Sequence, residues 1–169
     1  SIPFFKFFIF LYMKIYKGIE INKVAGLMDS ILIRTSLVEI YGEELKNYYQ
    51  ETVSAFPEKF TEEVICLIAD DEQSFLLACL DDDDCRIQVV MWAAVDDKLG
   101  FKQTMQYFKE LKKIYKGVAR NVQIEADCRT TTSLPIINKL DGRKGIHVVY
   151  RGKEEDGFVP ISMICDIDN

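Results

Sequence analysis

The alternation of apolar and polar positions divides the chain into eleven segments. Apolar residues dominate Phe4 to Tyr16, which reads as feeding an N-terminal strand, with Lys6 interrupting it and Lys14 and Lys17 set between apolar neighbours. Val24, Leu27, Met28 and Ile31 recur at helical spacing and predict a helix over residues 21–34. Leu45, Tyr48, Tyr49, Thr52, Val53 and Phe56 predict a second over Glu43 to Phe56, closed by Pro57. Three apolar runs follow, Val64 to Ala69, Ser74 to Leu80 and Cys85 to Val95, separated by short acidic turns of the kind that join hairpins. Phe101, Met105, Phe108, Leu111 and Tyr115 mark the apolar face of a helix over Phe101 to Tyr115, which Gly117 ends. Asn121 to Asp127 alternates as a strand. Ser133 is placed to cap a short helix that Asp141 and Gly142 stop after Leu140. Ile146 to Arg151 and Phe158 to Cys165 complete the pattern as strands, and Pro160 marks the last as an edge strand or a bulged one.

This order contains no linker that would mark a domain boundary. It predicts one mixed, mostly antiparallel, twisted α/β sheet flanked by helices, over residues 13–169. Residues 1–12 read as an apolar extension or as part of the first strand. They are too short to span a bilayer and lack the flanks of a signal peptide, although a targeting or membrane-contact segment is an open alternative. A length of 169 residues suits one domain, and 49% hydrophobic composition excludes a disordered chain.

The net charge of -6 argues against a global attraction to nucleic acid or to anionic membrane. The total conceals an uneven layout. Between Asp70 and Asp97 nine acids face Arg86 alone, a local net charge of -8. Between Lys98 and Arg120 seven bases face Glu110 alone, a local net charge of +6. The consecutive aspartates Asp81 to Asp84 read as a solvated turn, because the spacing of a calcium loop is missing. The cysteines, Cys66, Cys79, Cys85, Cys128 and Cys165, have neither metal-binding nor redox spacing and read as free thiols of a cytoplasmic, reducing interior.

The succession CRIQVVMWAAV, VDDKLGFKQTMQYFKELKKIY, NVQIEAD and SLPIINKLDG resembles the GCN5-related N-acetyltransferase (GNAT) fold, and small phage members in particular. In that family a strand ends at an anion-binding loop and a helix, followed by a strand and a short helix. The resemblance implies an acyl-CoA N-acyltransferase-like architecture from Met13 onward. It also implies cofactor contacts at Val95, Lys98, Gly100, Phe101 and Lys102, where backbone donors would close around a pyrophosphate.

Two departures point away from catalysis. Gly100 is the only glycine of a loop that the family makes glycine-rich, and Asp96 and Asp97 put negative charge beside the anion. Ile137 stands where the family often has a tyrosine that protonates the departing thiolate, and it has no proton to give. Glu125, which can accept an amine proton, and Tyr150, which can approach from another strand, are the catalytic candidates that remain. His147 is the only histidine and has no companion for a metal centre. Trp92 reads as sheet core. Lys109, Lys113 and Lys116, opposite the apolar helix face, suit an acidic protein surface better than nucleic acid, for which no motif is present.

The sequence therefore favours a catalytically weakened acetyltransferase-like protein that acts through a protein partner, as a phage or viral accessory protein would, with no cofactor expected. The alternative is an acetyl-CoA-dependent N-acetyltransferase that acylates an amine.

Overall fold

The computed structural model describes residues 13–35, 42–44, 47, 51 and 63–168, without the side chains of 97–101. Strands β1 (Met13–Lys17), β2 (Val64–Ala69), β3 (Ser74–Asp81), β4 (Arg86–Ala94), β5 (Asn121–Arg129), β6 (Ile146–Arg151) and β7 (Phe158–Asp166) form one sheet in the order β1-β2-β3-β4-β5-β7-β6. Every neighbouring pair is antiparallel except β4 and β5. The predicted mixed sheet is what forms. Helices α1 (Ala25–Ile33), α2 (Asp97–Tyr115) and α3 (Ser133–Leu140) accompany the sheet.

Apolar periodicity explains the layering. On one face, Ile65, Leu67, Leu76, Ala78, Ile87 and Val89 pack against Tyr107, Phe108, Leu111 and Tyr115 of α2. On the other, Cys66, Ile68, Phe75 and Leu77 pack against Ile21, Val24, Met28, Ile31 and Leu32. β2 is therefore covered on both faces, and all six of its residues are buried. Each large side chain fully buried here contributes about 1.5–3 kcal/mol relative to exposure.

Four boundaries differ from the sequence reading. The first helix is split into a 3-10 segment, Gly18–Val24, and α1, because Gly18 takes a positive φ of 56° at the end of β1 and starts the coil early. α2 starts at Asp97 rather than Phe101, which draws Gly100 into a helical turn, and acids are favoured at a helix start. Ser133 is the first helical residue of α3 and not its cap; its hydroxyl accepts the Arg129 N–H at 2.8 Å. β7 is an interior strand, flanked by β5 and β6, and the bulge lies on β6 at Val149. Pro160 fits inside the sheet because the β6 ladder ends beside it. Gly152 N–H donates to the Pro160 carbonyl at 2.7 Å, and the proline nitrogen has nothing to return. The second expected helix, Glu43 to Phe56, lies largely outside the described residues, as do residues 1–12.

Candidate functional site

The one parallel pairing in the sheet is short. Arg86, Ile87 and Gln88 of β4 meet Asn121, Val122 and Gln123 of β5, and beyond this point no ladder joins the two strands. Residues 89–94 and 124–129 diverge into a wedge. Both strands stay paired on their outer sides, to β3 and β7, so the facing edges carry backbone groups that have no strand partner.

A bulge lies at the start of the wedge. Leu77 pairs with Met91 and Ala78 with Val89, so Val90 stands opposite no residue of β3 and is 41% exposed. An extra residue reverses the facing of everything after it. Ile87 and Val89 belong to the α2-side core, whereas Met91 and Ala93 belong to the α1-side core. Trp92 is thereby turned to the α2 side and into the wedge.

A cavity of about 370 Å³ fills the wedge on the α2 side. Trp92, Met105, Phe108, Ile136 and Ile137 give it apolar walls, and Asp127, Cys128 and Arg129 bound it at the end of β5. The Trp92 indole N–H is buried and has no hydrogen-bond partner among the described residues. Burial pushes the Cys128 thiol pKa up, against a hydrogen bond with Ser133 that lowers it, so this thiol is not an activated nucleophile. Ile137 does line the cavity and brings no hydroxyl to it; Thr104, Thr131, Thr132 and Ser133 do.

A second cavity, of about 350 Å³, lies on the opposite face of the same half-sheet. Glu125 pairs with Ser162, and Ser162 with Tyr150, so the three form one row across β5, β7 and β6. All three line this cavity with Asp127 and Pro160, and Tyr150 is 60% exposed. Ala126, Asp127 and Ile161 line both cavities, which places the two within one strand's thickness of each other at the open end of the wedge.

Of the expected cofactor contacts, Val95 lies between β4 and α2, and its N–H is already donated to the Gln73 carbonyl at 2.8 Å. Lys98, Gly100 and Phe101 are in the first turns of α2, with side chains outside the described residues, and Lys102 is exposed just after them. Lys109, Lys113 and Lys116 are exposed along and just past α2, away from both cavities; Lys113 reaches Glu110 at 3.4 Å. His147 is on β6, 3.2 Å from Asp166 Oδ2. All five cysteines are free. Among the described residues no group of acids, cysteines or histidine is arranged to hold a metal ion, and no helix is long and apolar enough to cross a membrane.

No family model matches this chain, and no curated protein matches it in sequence. Solved structures do match in shape. The ribosomal-protein-S18-alanine N-acetyltransferase from Escherichia coli superposes with a TM-score of 0.60 at 15% identity, over 94% of this chain and 96% of its own. The aminoglycoside 6'-N-acetyltransferase from Enterococcus faecium gives 0.61 at 12% identity, over 94% and 98%. A protein from Desulfovibrio desulfuricans assigned to the GNAT family of acetyltransferases gives 0.62 at 11% identity, over 92% and 99%. The chain has the GNAT fold. An aminoglycoside 6'-N-acetyltransferase solved in complex with coenzyme A shares that GNAT fold with it, at a TM-score of 0.57 and 14% identity, over 92% of this chain and 98% of its own.

Proposed function

We propose that the protein is an acetyl-CoA-dependent N-acyltransferase that acylates a primary amine. The cavity in the β4–β5 wedge carries this reading, because it is present although Gly100 is the single glycine before α2 and Ile137 stands in α3. Its chemistry fits a pantetheine arm. The unpaired strand edges offer donors and acceptors to amides, and Met105, Phe108, Ile136 and Ile137 offer an apolar wall to methylenes. The start of α2, with Lys98, Gly100, Phe101 and Lys102, suits the pyrophosphate through its backbone amides and positive dipole end, against the charge of Asp96 and Asp97.

Acetyl-CoA supplies an acyl carbon activated by sulfur; the remaining work falls to this chain. The second cavity admits the amine from the other face. Glu125 takes its proton there, so that a neutral nitrogen meets the wedge where Ala126 and Asp127 border both cavities. Ile137 delivers no proton to the leaving sulfur, so that step falls to Tyr150 or to water.

A heat scan with acetyl-CoA tests the reading. Ligand that binds only the folded state at a hundred times its Kd adds about 2.7 kcal/mol of stability. The melting temperature is expected to rise with acetyl-CoA, and Ala126→Leu, which narrows the wedge, is expected to abolish the rise while the circular-dichroism spectrum is kept. No rise at millimolar acetyl-CoA removes the enzyme reading. The weakened, partner-binding reading then stands on Ile137 and on the exposed row Lys109, Lys113 and Lys116. Reversing the charge of Lys109 and Lys113 would test it by weakening a recovered complex.

A further inference from the structure

We propose that Arg86, Gln123 and Ser162 form a directed hydrogen-bond chain that holds Ser162 as a donor into the second cavity, and that the site consequently selects amines carrying an oxygen atom. This rests on the acyltransferase reading only in taking that cavity as the place of the acceptor.

The chain crosses three strands at the closed end of the wedge. Arg86 Nε donates to Asn121 Oδ1 at 3.1 Å, and Arg86 Nη1 donates to Gln123 Oε1 at 2.6 Å. A guanidinium has no acceptor, so the atom that it meets on Gln123 is the amide oxygen. The glutamine NH2 is thereby turned the other way, to Ser162 Oγ at 3.3 Å. An NH2 group only donates, so the serine oxygen accepts. The single hydrogen of the Ser162 hydroxyl is then free to donate, and among the described residues no other hydrogen bond to that hydroxyl is formed. Ser162 is mostly buried, yet it lines the second cavity between Glu125 and Tyr150.

The direction of every bond therefore follows from one residue, Arg86, the lone base in the acidic stretch from Asp70 to Asp97. Neither Arg86, Gln123 nor Ser162 lines the wedge cavity, so the chain acts on the acceptor side alone. Glu125 and Asp127 are acceptors that suit an ammonium group, and neither can donate to a hydroxyl or carbonyl oxygen. Ser162 can, held in place by Gln123, beside the more exposed Tyr150 hydroxyl. The preferred acceptor is a primary amine with a hydroxyl or carbonyl oxygen within a few bonds of its nitrogen. Arg86 and Gln123 are positioning residues, and Ser162 is the residue that sets specificity.

The probes are 3-amino-1-propanol and n-butylamine, which match in charge and number of heavy atoms and differ by the oxygen. Binding of each to the full chain is read by ligand-observed NMR without acetyl-CoA, and kcat/KM is read with it. The wild type is expected to favour the amino alcohol about five- to tenfold, the worth of one neutral hydrogen bond. Gln123→Glu keeps an acceptor for Arg86 but replaces the NH2 by a second acceptor, which draws the Ser162 hydrogen back into the sheet. Both it and Ser162→Ala are expected to bring the preference to about one, with the acetyl-CoA heat-scan shift unchanged. Equal affinity of the wild type for the two probes overturns the proposal, as does a preference that survives in either folded variant. A wild type that keeps the NMR preference yet shows no acetyl-CoA shift supports the chain and removes the acyltransferase reading instead.

Discussion

Tyr107 illustrates how a single buried polar atom ties the sheet to α2. Its ring is fully buried, its hydroxyl accepts the Ala69 N–H at 3.2 Å, and Ser74 Oγ lies 2.6 Å away. Tyr107→Phe leaves that backbone group and that serine in an apolar setting without the partner. The expected cost is about 1–3 kcal/mol in a urea titration, with no loss of apolar packing. Burial also pushes the Tyr107 hydroxyl pKa above its ordinary value, and pushes the Cys66 thiol from 9.0 up to about 12. Both groups are neutral in the folded protein and ionise more readily once unfolded. Their contribution is complete below about pH 9 and is lost as pH rises, by about 1.4 kcal/mol per pH unit for each group between its unfolded and folded pKa. Stability measured from pH 9 to 11 should therefore fall, and fall less steeply in Cys66→Ala. An unchanged slope would contradict the assignment.

At the scale of elements, two of the sheet's irregularities are the informative ones. The β4 bulge at Val90 takes up one extra residue and thereby turns Trp92 into the wedge, so deleting Val90 should leave Met91 on the α1 side and Trp92 on the α2 side, with the acetyl-CoA heat-scan shift retained. The second irregularity is where β6 ends beside Pro160. A Cβ built on Gly152 would lie 2.8 Å from Pro160 Cγ, in a ring that β7 holds between two strands. Gly152→Ala is expected to destabilise by about 1–3 kcal/mol, and Pro160→Ala in the same chain to recover most of the loss. Thermal melts of the two single variants and the double one check this. Additive losses would show that the contact is not the cause.

Across the whole molecule, the acidic and basic blocks of the sequence are folded back on one another. β4 leads away from the turn Asp81 to Asp84, and α2 returns toward it, which brings Lys112, Lys113 and Lys116 back to that end of the sheet. Arg120 closes the approach, with its Nη2 donating to the Asp84 carbonyl at 3.1 Å and its N–H to the Cys85 carbonyl at 2.7 Å. The basic block therefore meets the Asp81 to Asp84 turn at this end of the sheet through Arg120. Lys113→Glu combined with Lys116→Glu should lower the melting temperature at low ionic strength and leave it unchanged at about 1 M salt, where screening acts within ~3 Å. An equal loss at both salt levels would point to packing instead.

The sequence by itself determined the strands, α2, α3 and the mixed sheet, because the side-chain periods of helix and strand are local and Asp141-Gly142 and Gly117 punctuate them. It also singled out Glu125 and Tyr150 without relating them, and passed over Gln123 and Ser162. Only the tertiary structure decided that Glu125, Ser162 and Tyr150 share one row, that β7 lies inside the sheet despite Pro160, and that β4 and β5 part after Gln88. Those facts are strand partners, registers and a bulge, set by contacts between residues tens of positions apart. Hydrophobic periodicity says which face of a strand is buried. It does not say which strand lies beside it, or where two neighbours stop pairing, and the candidate site is built at such a place.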